Sequence, residues 1–153
     1  MKKPQLATLV RSIRESSRSM VRELGMLGEA HASLGLTNSQ VHALIELEKD
    51  RALSVIELAE RLHLEKSSVS RLIDALQAQQ LIKAASDAGD ARRKLVSLTS
   101  AGERKLVEVH AEADGRVERA LSELTPREQE LIARGIDLYA RALKSSLRKV
   151  QDR

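Results

Sequence analysis

Apolar residues recur along this chain at steps of three and four, and almost nowhere at steps of two. That pattern predicts helices. The first runs from about Pro4 to Ser33, with Leu6, Val10, Ile13, Met20, Leu24 and Leu27 on one seam and Ser17 filling the missing slot. The second runs from Asn38 to about Lys49 and carries Val41, Leu44, Ile45 and Leu47. The third, Val55 to His63, is expected to bury Ile56, Leu58, Ala59 and Leu62. The fourth, Lys66 to Gln79, is expected to bury Val69, Leu72, Ile73 and Leu76. A fifth runs from Ala101 to about Leu121. A sixth runs from Pro126 to about Val150, with Ile132, Ile136, Tyr139, Leu143 and Val150 on a seam and Ser146 in its gap.

Helix starts are marked by capping boxes, in which a Ser or Thr side chain and a Glu or Gln three residues later each satisfy a backbone donor of the other. Thr37–Gln40, Ser54–Glu57, Ser100–Glu103 and Thr125–Glu128 each open a periodic stretch. Pro126 stands at a first helical position, where its missing N–H costs nothing. Leu81–Ala84 and Lys94–Leu98 read as strands. The Gly- and Asp-bearing run Ser86–Arg93 between them reads as the tip of a hairpin. The fold expected is mostly α with a small β-hairpin wing.

Composition narrows the function. Apolar residues make up 42% of 153, but Tyr139 is the single aromatic, so the core must be aliphatic. There is no cysteine, which removes disulfides and thiolate metal sites. No apolar run approaches the roughly 18 residues of a membrane span, and a soluble cytoplasmic protein is expected. Net charge is +4, unevenly spread. Residues 1–22 carry net +5, residues 23–65 net −5, residues 66–105 net +4, and the remainder is neutral. Basic blocks on either side of an acidic one point to a polyanionic partner, and nucleic acid is the natural one. No Gly-x-Ser-x-Gly elbow, phosphate loop or paired-carboxylate motif is present, so no enzymatic activity and no cofactor is expected.

Residues 54–99 hold two short helices, a tight turn around His63–Glu65 and a hairpin. That is the order of a helix-turn-helix followed by a wing. The second of the two helices would enter the major groove of double-stranded DNA. Lys66, Ser67, Ser68, Ser70 and Arg71 lie on its outer face. Small hydroxyls permit close approach to base edges, and Arg71 can reach a guanine or a phosphate. Arg92, Arg93 and Lys94 lie on the wing, where arginine is drawn to a narrow minor groove. Asp87 and Asp90 are turn-formers, and Asp90 is also placed to hold a wing arginine in one rotamer.

These residues resemble the MarR (multiple antibiotic resistance regulator) family. The similarity is carried by Leu36-Thr37 through Gln40, Val55–Leu62, Glu65–Leu72, and the wing from Asp87 through Asp90 and Arg92 to Val96–Gly102. It implies one MarR-like domain over 1–153. Residues 1–36 and 122–153 would form dimerisation helices, 37–105 the winged helix-turn-helix, and 101–121 a connecting helix. It further implies a homodimer on a pseudo-palindromic operator, and a repressor released by a small effector such as an aromatic acid. The effector groove would be lined by Met20, Leu24, His42, Val109 and His110. Two alternatives stand beside this. One is a metal-responsive regulator of the same fold, with His42 and His110 joined by glutamates, although no metal set is complete enough to assign. The other is a helical dimer with no role at DNA. Two departures from the family pattern are Gln80 where glycine usually ends the recognition helix, and Glu65 where a better N-cap is usual.

Overall fold

The computed structural model describes residues 3–25, 31–86 and 94–151. Six α-helices and three strands follow in the order α1 (Lys3–Glu23), α2 (Asn38–Asp50), β1 (Leu53–Ser54), α3 (Val55–Leu62), α4 (Lys66–Ala78), β2 (Ile82–Ser86), β3 (Lys94–Leu98), α5 (Ser100–Leu121) and α6 (Pro126–Gln151). A 3-10 turn at Ala32–Leu34 precedes α2. The chain divides into two compact units, Met1–Glu112 and Ala113–Arg153.

The first helix is shorter than its seam predicts. It stops at Glu23 because Gly25 turns left-handed, at φ 73°, and glycine takes that conformation without steric cost. Apolar spacing persists through Leu24 and Leu27, but periodicity does not register a break in the backbone.

The first unit is built around an aliphatic core. Leu44, Leu47, Leu58, Leu76, Leu106, Val69, Val96 and Val109 are almost wholly enclosed. They come from α2, α3, α4, β3 and α5, so each short helix is held mainly by what it buries. Leu72 and Leu62 are half-buried against this core. Ile56, expected inside, is 56% exposed. Leu58 and Ala59 take the inner face of α3, and a residue two positions before Leu58 lies on the far side of the helix.

The sheet has three antiparallel strands in the order β1-β3-β2. β3 pairs with β2 from Ile82↔Leu98 to Ser86↔Lys94, and with β1 through Leu53↔Val96 and Ser54↔Leu95. The two-residue strand β1 has no sequence signature. It leads straight into α3, and buried Ser54 serves both elements: its N–H donates to Glu57 Oε2 at 2.8 Å and its hydroxyl accepts from Glu57 N. The Thr37–Gln40 capping box closes in the same way.

The third predicted capping box does not form, and the cap falls one residue earlier as a single side-chain bond, since Gly102 has no side chain to reciprocate. Thr99, not Ser100, caps α5, accepting from Gly102 N at 3.1 Å. The Thr99 hydroxyl faces the Gln80 carbonyl at 2.7 Å and the Leu81 carbonyl at 3.2 Å, and Thr99 N–H donates to Leu81 O at 3.0 Å. A tertiary partner therefore decides between two adjacent hydroxyls.

Gln80 closes α4 in a left-handed conformation, at φ 58°. Gln80 N–H donates to Gln77 O and Leu81 N–H to Leu76 O, which together make a Schellman cap. The glycine-type helix end is thus kept by a residue that has a side chain. His63 ends α3 similarly at φ 51°, and Arg51 follows α2 at φ 62° with Ala52 N–H donating to Asp50 O, a γ-turn.

In the second unit, Thr125 and Glu128 form the fourth capping box. Gln129 Nε2 donates to the carbonyls of Leu121 and Leu124, satisfying the end of α5. Ion pairs Glu130–Arg134 and Asp137–Arg141 run along α6. Its seam of Ile132, Ile136, Tyr139 and Leu143 is exposed on the single chain, as are Leu6, Leu9, Val10 and Met20 on α1. Among the described residues no helix is long and apolar enough to cross a membrane.

The Leu81 carbonyl gives two opposite expectations. A Cβ on Gly102 would stand 2.1 Å from it, so Gly102→Ala should destabilise the chain by about 1–3 kcal/mol or more, as overpacking does. Gln80→Gly should stabilise it by about 0.5–1 kcal/mol, the left-handed cost removed less the added unfolded-state entropy. Urea denaturation of both variants measures each sign.

Candidate nucleic-acid interface

The turn that orients α4 is fixed from both sides. Leu64 N–H donates to Ala59 O and His63 N–H to Glu60 O, ending α3 within one turn. Ala59 is small and buried where the two helices meet. Glu65 opens α4 with no side-chain cap bond, leaving that start to backbone bonds from Ser68 and Val69 to Glu65 O. Glutamate is one methylene too long for the geometry that Ser and Asp reach.

α4 then divides cleanly. Val69, Ile73 and Leu76 face the core. Lys66, Ser67, Ser70 and Arg71 are exposed, and Ser68 is half-buried at the margin. The outer face thus carries small hydroxyls flanked by two long cations. Lys94, the first residue of β3, is exposed at the root of the wing opposite Ser86. Lys66, Arg71 and Lys94 are in no ion pair among the described residues. Asp87, Asp90, Arg92 and Arg93 lie outside the described residues.

One electrostatic feature escaped the sequence reading. Arg61 on α3 reaches back to α2, where it bonds Asp50 and also Glu46, the latter at 3.5 Å. Glu46 is further held by Lys49. Asp50 and Glu46 stand four residues apart on one helix face, a spacing that could have flagged a cationic partner. The hydrogen bond from Lys49, followed by Arg61, keeps the Glu46 carboxyl below the usual carboxylate range. The hydrogen bond to Asp50, then that to Glu46, holds Arg61 the more firmly protonated. The network ties the first helix of the pair to the helix behind it.

The five residues expected to line an effector groove differ in exposure. His42 is exposed in a cleft of about 260 Å³ with Ser39, Glu46, Arg61, Leu62 and Leu64. His110 Nε2 lies 3.0 Å from Glu48 Oε2. Val109 is 1% exposed and belongs to the core rather than to a groove, because α5 turns it inward with Leu106. Met20 is exposed and Leu24 half-buried. No group of three or more His, Asp or Glu placed to hold a metal occurs among the described residues.

Two short helices across a tight turn, followed by the hairpin strands β2 and β3 that pair with β1 from before the helices, define the winged helix-turn-helix class of DNA-binding module. Comparison with known proteins agrees. The MarR family model matches residues 34–93. The transcriptional repressor MdtR of Bacillus subtilis is 35% identical over 100 residues, 65% of this chain and 64% of MdtR, so the chain spans just under two thirds of that relative. The transcriptional regulator ZitR of Lactococcus lactis is 30% identical over 115 residues, 71% of this chain and 76% of ZitR. The crystal structure of YusO from Bacillus subtilis superposes with a TM-score of 0.70 at 29% identity, covering 93% of this chain and 99% of YusO. The chain belongs to the MarR family of transcription regulators, DNA-binding proteins and not enzymes.

The Glu46 carboxylate sets a pH dependence. Its pKa is lowered on folding, so its contribution to stability is fully present above the ordinary carboxylate value and is lost as pH falls through the depressed one. The pair is surface-exposed, so the effect is within about 1 kcal/mol. Acid unfolding monitored by circular dichroism should show Glu46→Gln less stable than the parent at pH 7 and level with it once the pH has fallen through that depressed value.

Proposed function

We propose that the chain is a homodimeric, operator-binding repressor of transcription, reading its site through α4 and the wing. The observation that carries this is the two-sided character of α4. An apolar inner face fixes the helix on the core, and an outer face of Lys66, Ser67, Ser70 and Arg71 has no ion pair to a carboxylate among the described residues. Such a face suits the major groove, where serines allow approach and arginine bonds guanine or phosphate. Asp90, Arg92, Arg93 and Lys94 are assigned to the wing contact, the first three from sequence alone. Of the relatives, MdtR is a repressor, and repression is the action we assign here. Release by a small acidic aromatic would act by changing the separation of the two recognition helices, so that both half-sites could not be met together.

Assembly rests on the exposed seams. Leu6, Val10 and Met20 on α1, and Ile132, Ile136, Tyr139 and Leu143 on α6, are each about 40–50% exposed. Each row is too apolar and too regular for a solvated face. A second copy of the chain would cover both through an isologous interface. A two-fold dimer would also give the paired recognition helices that a pseudo-palindromic operator requires.

Arg71→Ala and Arg92→Ala separate the DNA contacts. A base-specific contact should cost about 1–3 kcal/mol and relax one operator position, whereas a phosphate contact should weaken all sequences and reduce the salt slope by about one. We expect severe loss for Arg92→Ala and partial loss for Asp90→Ala, both folded. A salt series of binding isotherms reads these, and parental affinity for both arginine variants would remove the assignment. For assembly, Ile136→Glu should yield monomers by light scattering at micromolar concentration. A parent that is itself monomeric there would exclude the dimer.

A further inference from the structure

One cavity of the first unit lies away from α4, between the end of α2, the end of β3 and the start of α5. It measures about 560 Å³, within the usual range of small-molecule sites. Leu47, Leu98 and Leu106 line it with apolar surface, and Leu47 and Leu106 are 1% exposed. Glu48, Arg51 and Glu103 add charge of both signs to the same lining. It shares none of the residues expected to line the effector groove.

The charges are not spent on one another. Arg51 and Glu103 are in no ion pair among the described residues, although both line one cavity. Glu48 is occupied on Oε2 by His110 and keeps Oε1. Arg51 is also held in a conformation that a residue with a side chain rarely adopts, φ 62° in a γ-turn closed by Ala52 N–H to Asp50 O at 2.7 Å. Backbone strain of that kind fixes the direction of Cβ.

We propose that this cavity binds a small zwitterion with an apolar body, of the free α-amino acid type. The guanidinium of Arg51 takes the carboxylate in a two-point contact. Glu103, with Glu48 beside it, takes the ammonium, and the leucines take the side chain. A simple organic anion would leave two carboxylates opposing it, and a simple amine would leave Arg51 unmatched. Val107, 70% exposed at the cavity, gives the mouth an apolar lip that suits a leucine or phenylalanine side chain. Leu98 and Glu103 flank Thr99, so an occupant would touch the junction that anchors the wing. Any effect on operator affinity rests on the DNA-binding reading above; the binding itself does not.

The test is isothermal titration calorimetry on the full chain without DNA. L-leucine and L-phenylalanine are the probes, and N-acetyl-L-leucine and L-leucinamide each lack one charge. We expect saturable binding of at least one free amino acid below about 10 mM. Both blocked forms should bind at least about tenfold more weakly, a difference of about 1.4 kcal/mol. Arg51→Gly, which also relieves the positive φ, and Glu103→Gln should each cost a similar factor, with circular dichroism confirming the fold. Absence of saturable binding by either amino acid overturns the proposal. So does equal affinity for the blocked forms, or parental affinity in both variants. Loss of operator binding with amino-acid binding intact would count against the DNA reading alone.

Discussion

The backbone carbonyl of Leu81 is where this molecule has least freedom. Three parts of the chain converge on it: the Schellman end of α4, the amide and hydroxyl of Thr99 at the exit of β3, and Gly102 in the first turn of α5. The carbonyl accepts the Thr99 N–H, and the absence of a side chain at Gly102 lets α5 close over it. With that contact made, α4, the wing and α5 are referred to a single point.

Much of the geometry beyond that point is local backbone economy. α2, α3 and α4 each end in a residue with positive φ, and none of the three is glycine. Connections of two to four residues between short helices leave few other ways to turn. The left-handed cost, on the order of 1 kcal/mol each, is set against core leucines that bury about 1.5–3 kcal/mol apiece. The core wins, so sequence at the turns can depart from glycine while the fold is kept. Gln80 is the clearest instance, since family resemblance had marked it as a departure and the helix end is unchanged.

What could be read from sequence follows the range of the interaction. Three capping boxes were legible because donor and acceptor lie within four residues. The box expected at Ser100 gives way to a cap at Thr99 because the deciding partners, the Gln80 and Leu81 carbonyls, are remote in sequence. β1 was invisible for the same reason: two residues become a strand only when Val96 and Leu95 stand opposite. The first helix was drawn too long because the seam continues past Gly25. Ile56 was placed inside because spacing alone does not choose among neighbouring faces of an eight-residue helix. On the candidate interface, the outward set on α4 followed from the 3.6-residue period. The Arg61 tie to Glu46 and Asp50 was not foreseen, since it joins two helices whose mutual angle no local pattern states.

The aromatic content has an optical consequence. Among the described residues, the buried apolar side chains of the DNA-binding unit are leucine, isoleucine, valine and alanine, and the one aromatic ring of the chain, Tyr139, sits on the exposed seam of α6. Near-ultraviolet absorption, tyrosine emission and its polarisation therefore carry nothing from the helix-turn-helix. They report the surroundings of α6 alone. A chromophore that most proteins spread through their interior is here a single built-in probe at one of the faces that a second copy of the chain would cover.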